Sequence, residues 1–336
     1  MTALTMAKAI NAGLRKALAD DPHVVLMGED IGTLGGVFRV TDGLQTEFGP
    51  RRVMDSPLAE SGILGTAVGM AYRGYRPVVE IQFDGFVYPA FDQIVSQVAR
   101  MHYRTAGAVR MPITIRVPFA GGIGAAEHHS DSPEAYFAHA AGLRVVSPSD
   151  PQDAYTLIQQ AIASDDPVLY FEPKRRYHAK GEVDEEAALA DARPMGTARV
   201  VAEGGDVTLV TYGGLVQLAR DAAVAAGDEG VSVEVVDLRS LSPLDLDTLV
   251  ASVRKTGRLV VTHEAALSGG LGAEISASIT ERCFYHLEHA PVRVTGHDIP
   301  YPAARLEHAH LPDLDRILDG IDRAMDRPNS LTGVED

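Results

Sequence analysis

Two short segments carry the residue types of acid/base chemistry. Pro57-Leu58-Ala59-Glu60-Ser61-Gly62 places a carboxylate at the mouth of a Gly-rich segment, and Glu127-His128-His129-Ser130-Asp131 places two imidazoles between carboxylates. Carboxylates and imidazoles whose pKa values the surroundings can tune are the usual instruments of proton transfer near neutral pH. Together the two segments read as the acid/base side of a cofactor site. Each also has a plainer reading. Glu60 opens a helical run, where an acidic residue in the first turn complements the macrodipole. A histidine in a polar loop is commonly structural or solvated. Adjacent histidines on a loop rarely face one ion, and no third ligand at an established spacing accompanies them. His286 and His289 fit a partly exposed helix end equally well.

The phosphate side of such a site has no visible counterpart. Gly32-Thr33-Leu34-Gly35-Gly36, Gly121-Gly122-Ile123-Gly124 and Gly269-Gly270-Leu271-Gly272 could each cradle phosphate through backbone N–H groups. None follows the dinucleotide fingerprint, and no Gly-Lys-Ser/Thr P-loop is present. Tight turns in an α/β sheet explain these glycines as well, and a self-contained nicotinamide site is disfavoured.

The elements that must position these residues alternate. Helices are expected over residues 4–19, 89–101 (with Pro89 at its start) and 151–163, the last capped by Asp150 with Pro151 in its first turn. Strands are expected over 24–27, 77–83, 113–117, 143–146 and 168–171. A second alternation follows, with strands over 206–212, 231–238, 258–262 and 291–295 and helices over 215–226, 244–253 and 269–282. Strands separated by helices imply an α/β protein whose sheets are mostly parallel and covered on both faces. The domains expected are 1–175 and 200–327, with a charged, Ala-rich linker over 176–199 and a tail over 328–336.

The 336 residues carry a net charge of −16, which argues against nucleic acid, where Lys and Arg must neutralise phosphates, but suits a basic protein partner. A single cysteine, Cys283, excludes an intrachain disulfide framework and fits a reducing compartment. No apolar run approaches the roughly 18–20 residues needed to span a bilayer, and the N-terminus lacks a signal pattern. A cytoplasmic protein is expected.

At these residues the chain resembles a family: the β subunits of thiamine-diphosphate-dependent 2-oxo acid dehydrogenases, the decarboxylating component of large complexes. The resemblance runs through Gly28-Glu29-Asp30, Gly35-Gly36-Val37-Phe38, Asp55-Ser56-Pro57-Leu58-Ala59-Glu60, Glu80-Ile81-Gln82-Phe83 and Pro89-Ala90-Phe91-Asp92-Gln93-Ile94. It continues in His129-Ser130-Asp131-Ser132-Pro133-Glu134, Phe171-Glu172-Pro173-Lys174, Val236-Asp237-Leu238-Arg239 and His263-Glu264-Ala265. It implies two three-layer α/β/α domains, a transketolase-like pyrimidine-binding domain and a transketolase C-terminal-like domain.

The resemblance also divides the cofactor. The α subunit of such enzymes holds the diphosphate and Mg2+ through a Gly-Asp-Gly segment, which this chain lacks. The β subunit supplies the aminopyrimidine side. The resemblance implies that Glu60 hydrogen-bonds ring nitrogen N1′, favouring the imino tautomer that takes the thiazolium proton. It places Phe86 against the pyrimidine, where relatives often have Tyr. Leu58 and Gln82 line the same pocket, and Glu29 lies nearby in an acidic relay that Pro89 shortens. His129 matches a histidine that faces substrate and assists reductive acylation of a lipoyl group, whereas His128 stands where relatives vary. Some relatives hold a structural monovalent cation, K+, on main-chain oxygens; the matching positions are Ile113, Thr114, Ala161, Ser164 and Asp166.

The expected function is that of the β subunit of a branched-chain 2-oxo acid dehydrogenase, in an α2β2 assembly that acylates a lipoyl-bearing acyltransferase core. That core would dock through its small basic binding domain. A pyruvate or acetoin dehydrogenase β subunit is the alternative. A self-sufficient transketolase-like enzyme would need its own diphosphate half, and a non-catalytic scaffold paralogue need not keep Glu60 and His129.

Overall fold

A computed structural model of the protein describes residues 1–187 and 189–327; the tail expected over 328–336 lies outside them. The chain forms two compact units. One comprises residues 1–123, 128–195 and 241–243, the other 124–127, 196–240 and the remainder of the described chain. The stretch 176–199 carries the strand Lys180–Val183, which pairs antiparallel with Thr2–Thr5, so it belongs to the first unit as far as Met195.

The first unit is built on a sheet whose order is Ser240–Ser242, Arg144–Val146, Val168–Pro173, Thr114–Phe119, Arg76–Glu80, Val24–Gly28, Val53–Asp55. The pairings from Arg144–Val146 onward are parallel. These strands are mostly apolar because both faces are buried, with Glu80, Arg116 and Glu172 as buried charges among them. Helices Met6–Asp20 and Pro151–Ala163 pack together on one face, joined by Leu14, Leu26, Val78, Ile158 and Tyr170 in one core. Gly13 permits that approach, since a Cβ there would overlap Ile158. Val25, Val79 and Leu169 alternate to the opposite face, and helix Glu60–Tyr72 packs on the strand Arg76–Glu80.

Two of the expected helices differ in the structure. Residues 4–5 belong to the strand Thr2–Thr5, and the helix begins at Met6 with the Thr5 hydroxyl accepting the Lys8 N–H at 3.3 Å. The strand forms because a distant partner, Lys180–Val183, is available. In place of one helix over 89–101 the chain makes a 3-10 turn Asp84–Ala90, a π-helical segment Gln93–Val98 and a short helix Met101–Arg104. Pro89 sits inside the 3-10 turn rather than opening a helix. The expected cap at 150 is present: the Asp150 carboxylate accepts the Asp153 N–H at 2.8 Å, with Pro151 next.

The second unit has five strands, ordered Val292–Gly296, Leu259–Ala266, Val207–Thr211, Val233–Asp237, Arg199–Ala202, with only the last antiparallel. Helices Val216–Asp228 and Leu314–Ala324 pack on one face. Helices Leu246–Thr256 and Leu271–Cys283 pack together, and Ser252 and Thr256 meet Thr208 of the central strand at 2.7 Å each.

One helix start here depends on a neutral histidine. His263 is 1% exposed. Its Nε2 accepts the Gly272 N–H at 3.1 Å in the first turn of Leu271–Cys283, so Nδ1 carries the proton, donated to the Ala265 carbonyl at 3.1 Å. Burial holds this imidazole at about 4, against an ordinary 6.5. The unfolded chain therefore binds a proton that the folded chain refuses. The stability this contributes is present above about 6.5 and is lost as pH falls toward 4, up to about 3 kcal/mol. Urea unfolding of the protein and of His263→Gln at pH 7 and pH 4.5 checks this. The difference in stability between the two is expected to shrink at the lower pH, and parallel losses would contradict it.

Candidate active site

The sequence-predicted residues gather at the carboxyl ends of the first unit's parallel strands. Val24–Gly28 leads into Glu29, Val53–Asp55 into Leu58 and Glu60, Arg76–Glu80 into Gln82 and Phe86, and Thr114–Phe119 into the His129 loop. From Val24–Gly28 the chain moves to one side of the sheet, to Val53–Asp55. It then returns across to Arg76–Glu80 on the other side. Such a reversal is where open α/β sheets form their ligand crevice, at the carboxyl ends of the strands. Glu29 and Gln82 flank it, and the Gln82 amide donates to Asp30 Oδ2 at 3.5 Å.

Glu60 begins helix Glu60–Tyr72 and is 7% exposed, while Leu58 two residues before it is 61% exposed. Burial raises the Glu29 carboxyl above the usual carboxylate range, and the negative charges of Asp30 and Glu60 add to the effect. Glu29 Oε2 is buried with no hydrogen-bond partner among the described residues. Burial and these neighbouring charges both disfavour the charged form of the Glu29 carboxyl.

His129 lies on aromatic rings. It stacks on Phe83 with centroids 3.8 Å apart and planes at 25°, and meets Phe86 nearly edge-on at 5.4 Å. Its Nδ1 lies 2.8 Å from the His128 carbonyl. A carbonyl only accepts, so Nδ1 carries the proton and Nε2 keeps its lone pair. Burial, the largest influence, lowers its pKa below the ordinary histidine range. His128 is exposed, and its ring lies 4.1 Å from that of His129.

Under the crevice the sheet buries charge. The Arg116 guanidinium bonds Glu172 through Nε at 2.6 Å and Nη2 at 3.0 Å, and bonds Glu80 through Nη1. The Tyr177 hydroxyl donates to Glu172 at 2.6 Å. Tyr177 packs on Phe38 at 4.9 Å and Phe38 on Phe83 at 5.5 Å, which joins this layer to the ring under His129. Lys174 and Asp84 form a second buried pair at 2.5 Å. Burial raises the Asp84 carboxyl to about 6 despite Lys174. Sequence reasoning gives no role to Phe83, Asp84 or Lys174. A lysine directly after an apolar strand is the only hint, because its partner lies far away along the chain.

Ala161, Ser164 and Asp166 lie at and after the C-terminus of helix Pro151–Ala163, apart from the crevice, and Ile113 accepts the Val168 N–H at 3.0 Å beside them. The Ser164 carbonyl accepts Arg76 Nη1 at 3.0 Å and the Asp166 carbonyl accepts the Ser164 hydroxyl at 2.9 Å. Among the described residues no group of three or more His, Cys, Asp or Glu side chains is placed to hold a metal ion.

The fold and crevice define a protein of the transketolase type. Residues 2–180 match the transketolase pyrimidine-binding domain and residues 196–317 the transketolase C-terminal domain. The chain is 58% identical over 322 residues to a pyruvate dehydrogenase E1 component subunit beta of Leifsonia xyli, covering 96% of this chain and 95% of that one. It is 55% identical over 326 residues to a 3-methyl-2-oxobutanoate dehydrogenase subunit beta of Mycobacterium tuberculosis, covering 97% and 93%. It is 44% identical over 340 residues to a 2-oxoisovalerate dehydrogenase subunit beta of Pseudomonas aeruginosa, covering 97% and 96%. A split-gene transketolase, solved as an inactive beta4 tetramer, has the same fold, with a TM-score of 0.79 over 96% of this chain and 98% of that chain at 24% identity. The chain belongs to the β subunits of the 2-oxo acid dehydrogenases, components of oxidoreductase complexes. Membership implies thiamine diphosphate as cofactor and an α subunit as partner. No helix among the described residues is long and apolar enough to cross a membrane.

Proposed function

We propose that this chain is the β half of a branched-chain 2-oxo acid dehydrogenase, holding the aminopyrimidine side of thiamine diphosphate in its crevice. The observation that carries the reading is the buried Glu60 carboxylate at a helix start, near Glu29, whose Oε2 has no hydrogen-bond partner among the described residues, at the strand ends where the sheet order reverses. Such a set fits a flat nitrogen heterocycle. Glu60 would hold the ring nitrogen, with Leu58, Gln82 and Phe86 about the ring and Glu29 beside Glu60. When bound, the cofactor supplies the electron sink for decarboxylation. Glu60 holds negative charge at the ring nitrogen, with the Glu29 carboxyl close to it. His129, neutral and with Nε2 as its basic atom, serves acyl transfer to the lipoyl group.

Among the described residues no group of three or more His, Cys, Asp or Glu side chains is placed to hold a metal ion, which agrees with the diphosphate and Mg2+ belonging to the α subunit of an α2β2 assembly. A K+ ion, if held, would rest on the carbonyls of Ile113, Thr114, Ala161, Ser164 and Asp166. The net charge of −16 favours docking to a basic domain of the acyltransferase core. One buried free cysteine, Cys283, suits a cytoplasmic setting.

The outer face of helix Glu60–Tyr72 supports assembly. Gly62, Gly65, Gly69 and Tyr72 are exposed along it, and a Cβ at Gly65 or Gly69 would meet nothing within 4 Å. Leu34, Val37 and Leu58 are exposed on two loops tied together by the Gly32 N–H donating to Asp55 at 2.6 Å. Glycine inside a helix costs about 1 kcal/mol relative to alanine, which a close-packed partner would justify. Gly65→Leu with Gly69→Leu is expected to leave the isolated chain folded and to abolish co-purification with an α subunit, as read by light scattering. Undisturbed assembly would remove the glycine face from the interface.

Substrate choice is tested by co-expression with a candidate α subunit and a comparison of kcat/KM for 2-oxoisovalerate and pyruvate. The branched-chain reading expects 2-oxoisovalerate to win. Preference for pyruvate would favour the second reading, which the Leifsonia relative supports.

A further inference from the structure

The turn that presents His129 is held from beneath by two buried charges. Asp84 and Lys174 follow the strands Arg76–Glu80 and Val168–Pro173, which lie on either side of Thr114–Phe119. Lys174 Nζ is 2.5 Å from Asp84 Oδ1, and neither side chain has exposed surface. The other carboxylate oxygen, Oδ2, accepts the N–H of Asp131, two residues past His129. The Asp131 carbonyl accepts the Ala120 N–H at 2.8 Å, and its carboxylate accepts the Tyr88 hydroxyl at 3.1 Å. On the other side of His129, Gly85 packs so closely on the His128 carbonyl that a Cβ there would overlap it. That carbonyl is the acceptor for His129 Nδ1 at 2.8 Å. Asp84 and its neighbour therefore grip the turn both before and after His129, and Phe86 of the same 3-10 turn supplies the ring at its edge.

Packing alone does not call for two charges here. Taking an ion pair out of water costs more than apolar side chains of similar size, and the best-attested return is a fixed arrangement. A carboxylate also makes a stronger bond to a backbone N–H than a neutral acceptor does. We propose that Lys174 and Asp84 are positioning residues, whose buried ion pair fixes the ring orientation and tautomer of His129 and so supports lipoyl acylation rather than decarboxylation. The inference rests on the reading of His129 given above.

The variants Lys174→Met, Asp84→Asn and the double D84N/K174M test it in the chain co-expressed with its α subunit. The first readout is the 15N signature of the His129 ring in histidine-labelled protein, assigned by loss of the signal in His129→Gln. The wild type is expected to show one tautomer, protonated on Nδ1, and K174M to show an averaged signal. The second readout compares acylation of a free lipoyl domain with decarboxylation coupled to an artificial electron acceptor. For K174M we expect kcat for acylation to fall about 10²-fold, the scale of a small misplacement, with acceptor-coupled turnover changed by less than about 3-fold. D84N/K174M should recover most of the loss, because no charge is left unpaired and the Asn carbonyl still accepts from Asp131. If K174M does not fold, D84N carries the test, with the same selective loss expected at smaller size. An unchanged His129 signal, or equal loss of both activities, overturns the proposal. If the wild type cannot acylate the lipoyl domain, the functional reading fails, while the His129 spectrum still decides the positioning claim.

Discussion

Glu60→Gln in the assembled enzyme is expected to lower 2-oxo acid decarboxylation by about 10²–10⁴-fold, the range spanned by one positioned acid/base group. Glutamine has nearly the same shape and can still hydrogen-bond. It cannot hold the negative charge that a ring nitrogen needs when its proton is shared. Stability should change by no more than about 1 kcal/mol, since what is lost in the fold is one macrodipole interaction at a helix start. A spectroscopic companion comes from Glu29. The Glu60 charge helps to raise the Glu29 carboxyl, although burial is the larger cause, so Glu29 should titrate lower in the variant. Near-normal turnover would remove Glu60 from the chemistry.

The largest effect on stability is expected from Arg116→Met. The guanidinium is 1% exposed and is shared by Glu80 and Glu172, at 6% and 0% exposed. Removing it leaves two buried carboxylates facing each other, a loss of about 3–5 kcal/mol. That is a large fraction of the roughly 5–15 kcal/mol that holds a typical domain together. Neutralising the carboxylates as well, in E80Q/R116M/E172Q, should restore part of the loss, because the penalty comes from the unpaired charges. Denaturant unfolding of the three proteins separates the cases. Equal stability of R116M and the parent would show that the network contributes nothing.

Some elements are legible from local chemistry alone. Asp150 before Pro151 announces a helix start, and the apolar strands at 24–27 and 168–171 lie within the observed Val24–Gly28 and Val168–Pro173. Other features depend on partners remote in sequence. Thr2–Thr5 is a strand only because Lys180–Val183 lies beside it. The 3-10 and π segments of 84–98 follow the packing of that turn against helix Glu60–Tyr72 and the His129 loop. Helix Leu314–Ala324 is absent from the expected elements, although Leu314, Ile317, Leu318 and Ile321 share a face and Asp313 caps it.

The site divides in the same way. Glu60 and His129 stand out as residue types, and the resemblance supplies their roles. Their support does not stand out. An arginine inside a β-branched run, or a lysine at a strand exit, signals a buried charge without naming its partner. Only the sheet order brings Glu80, Arg116 and Glu172 into one layer, and Asp84 and Lys174 into another.

The central claim is that this chain brings one half of a divided active site. The direct measurement is acceptor-coupled decarboxylation of 2-oxoisovalerate with thiamine diphosphate and Mg2+, by the purified chain alone and after addition of the α subunit. We expect no turnover from the chain alone and full turnover on addition of α in stoichiometric amount. Comparable turnover by the chain alone would contradict the account.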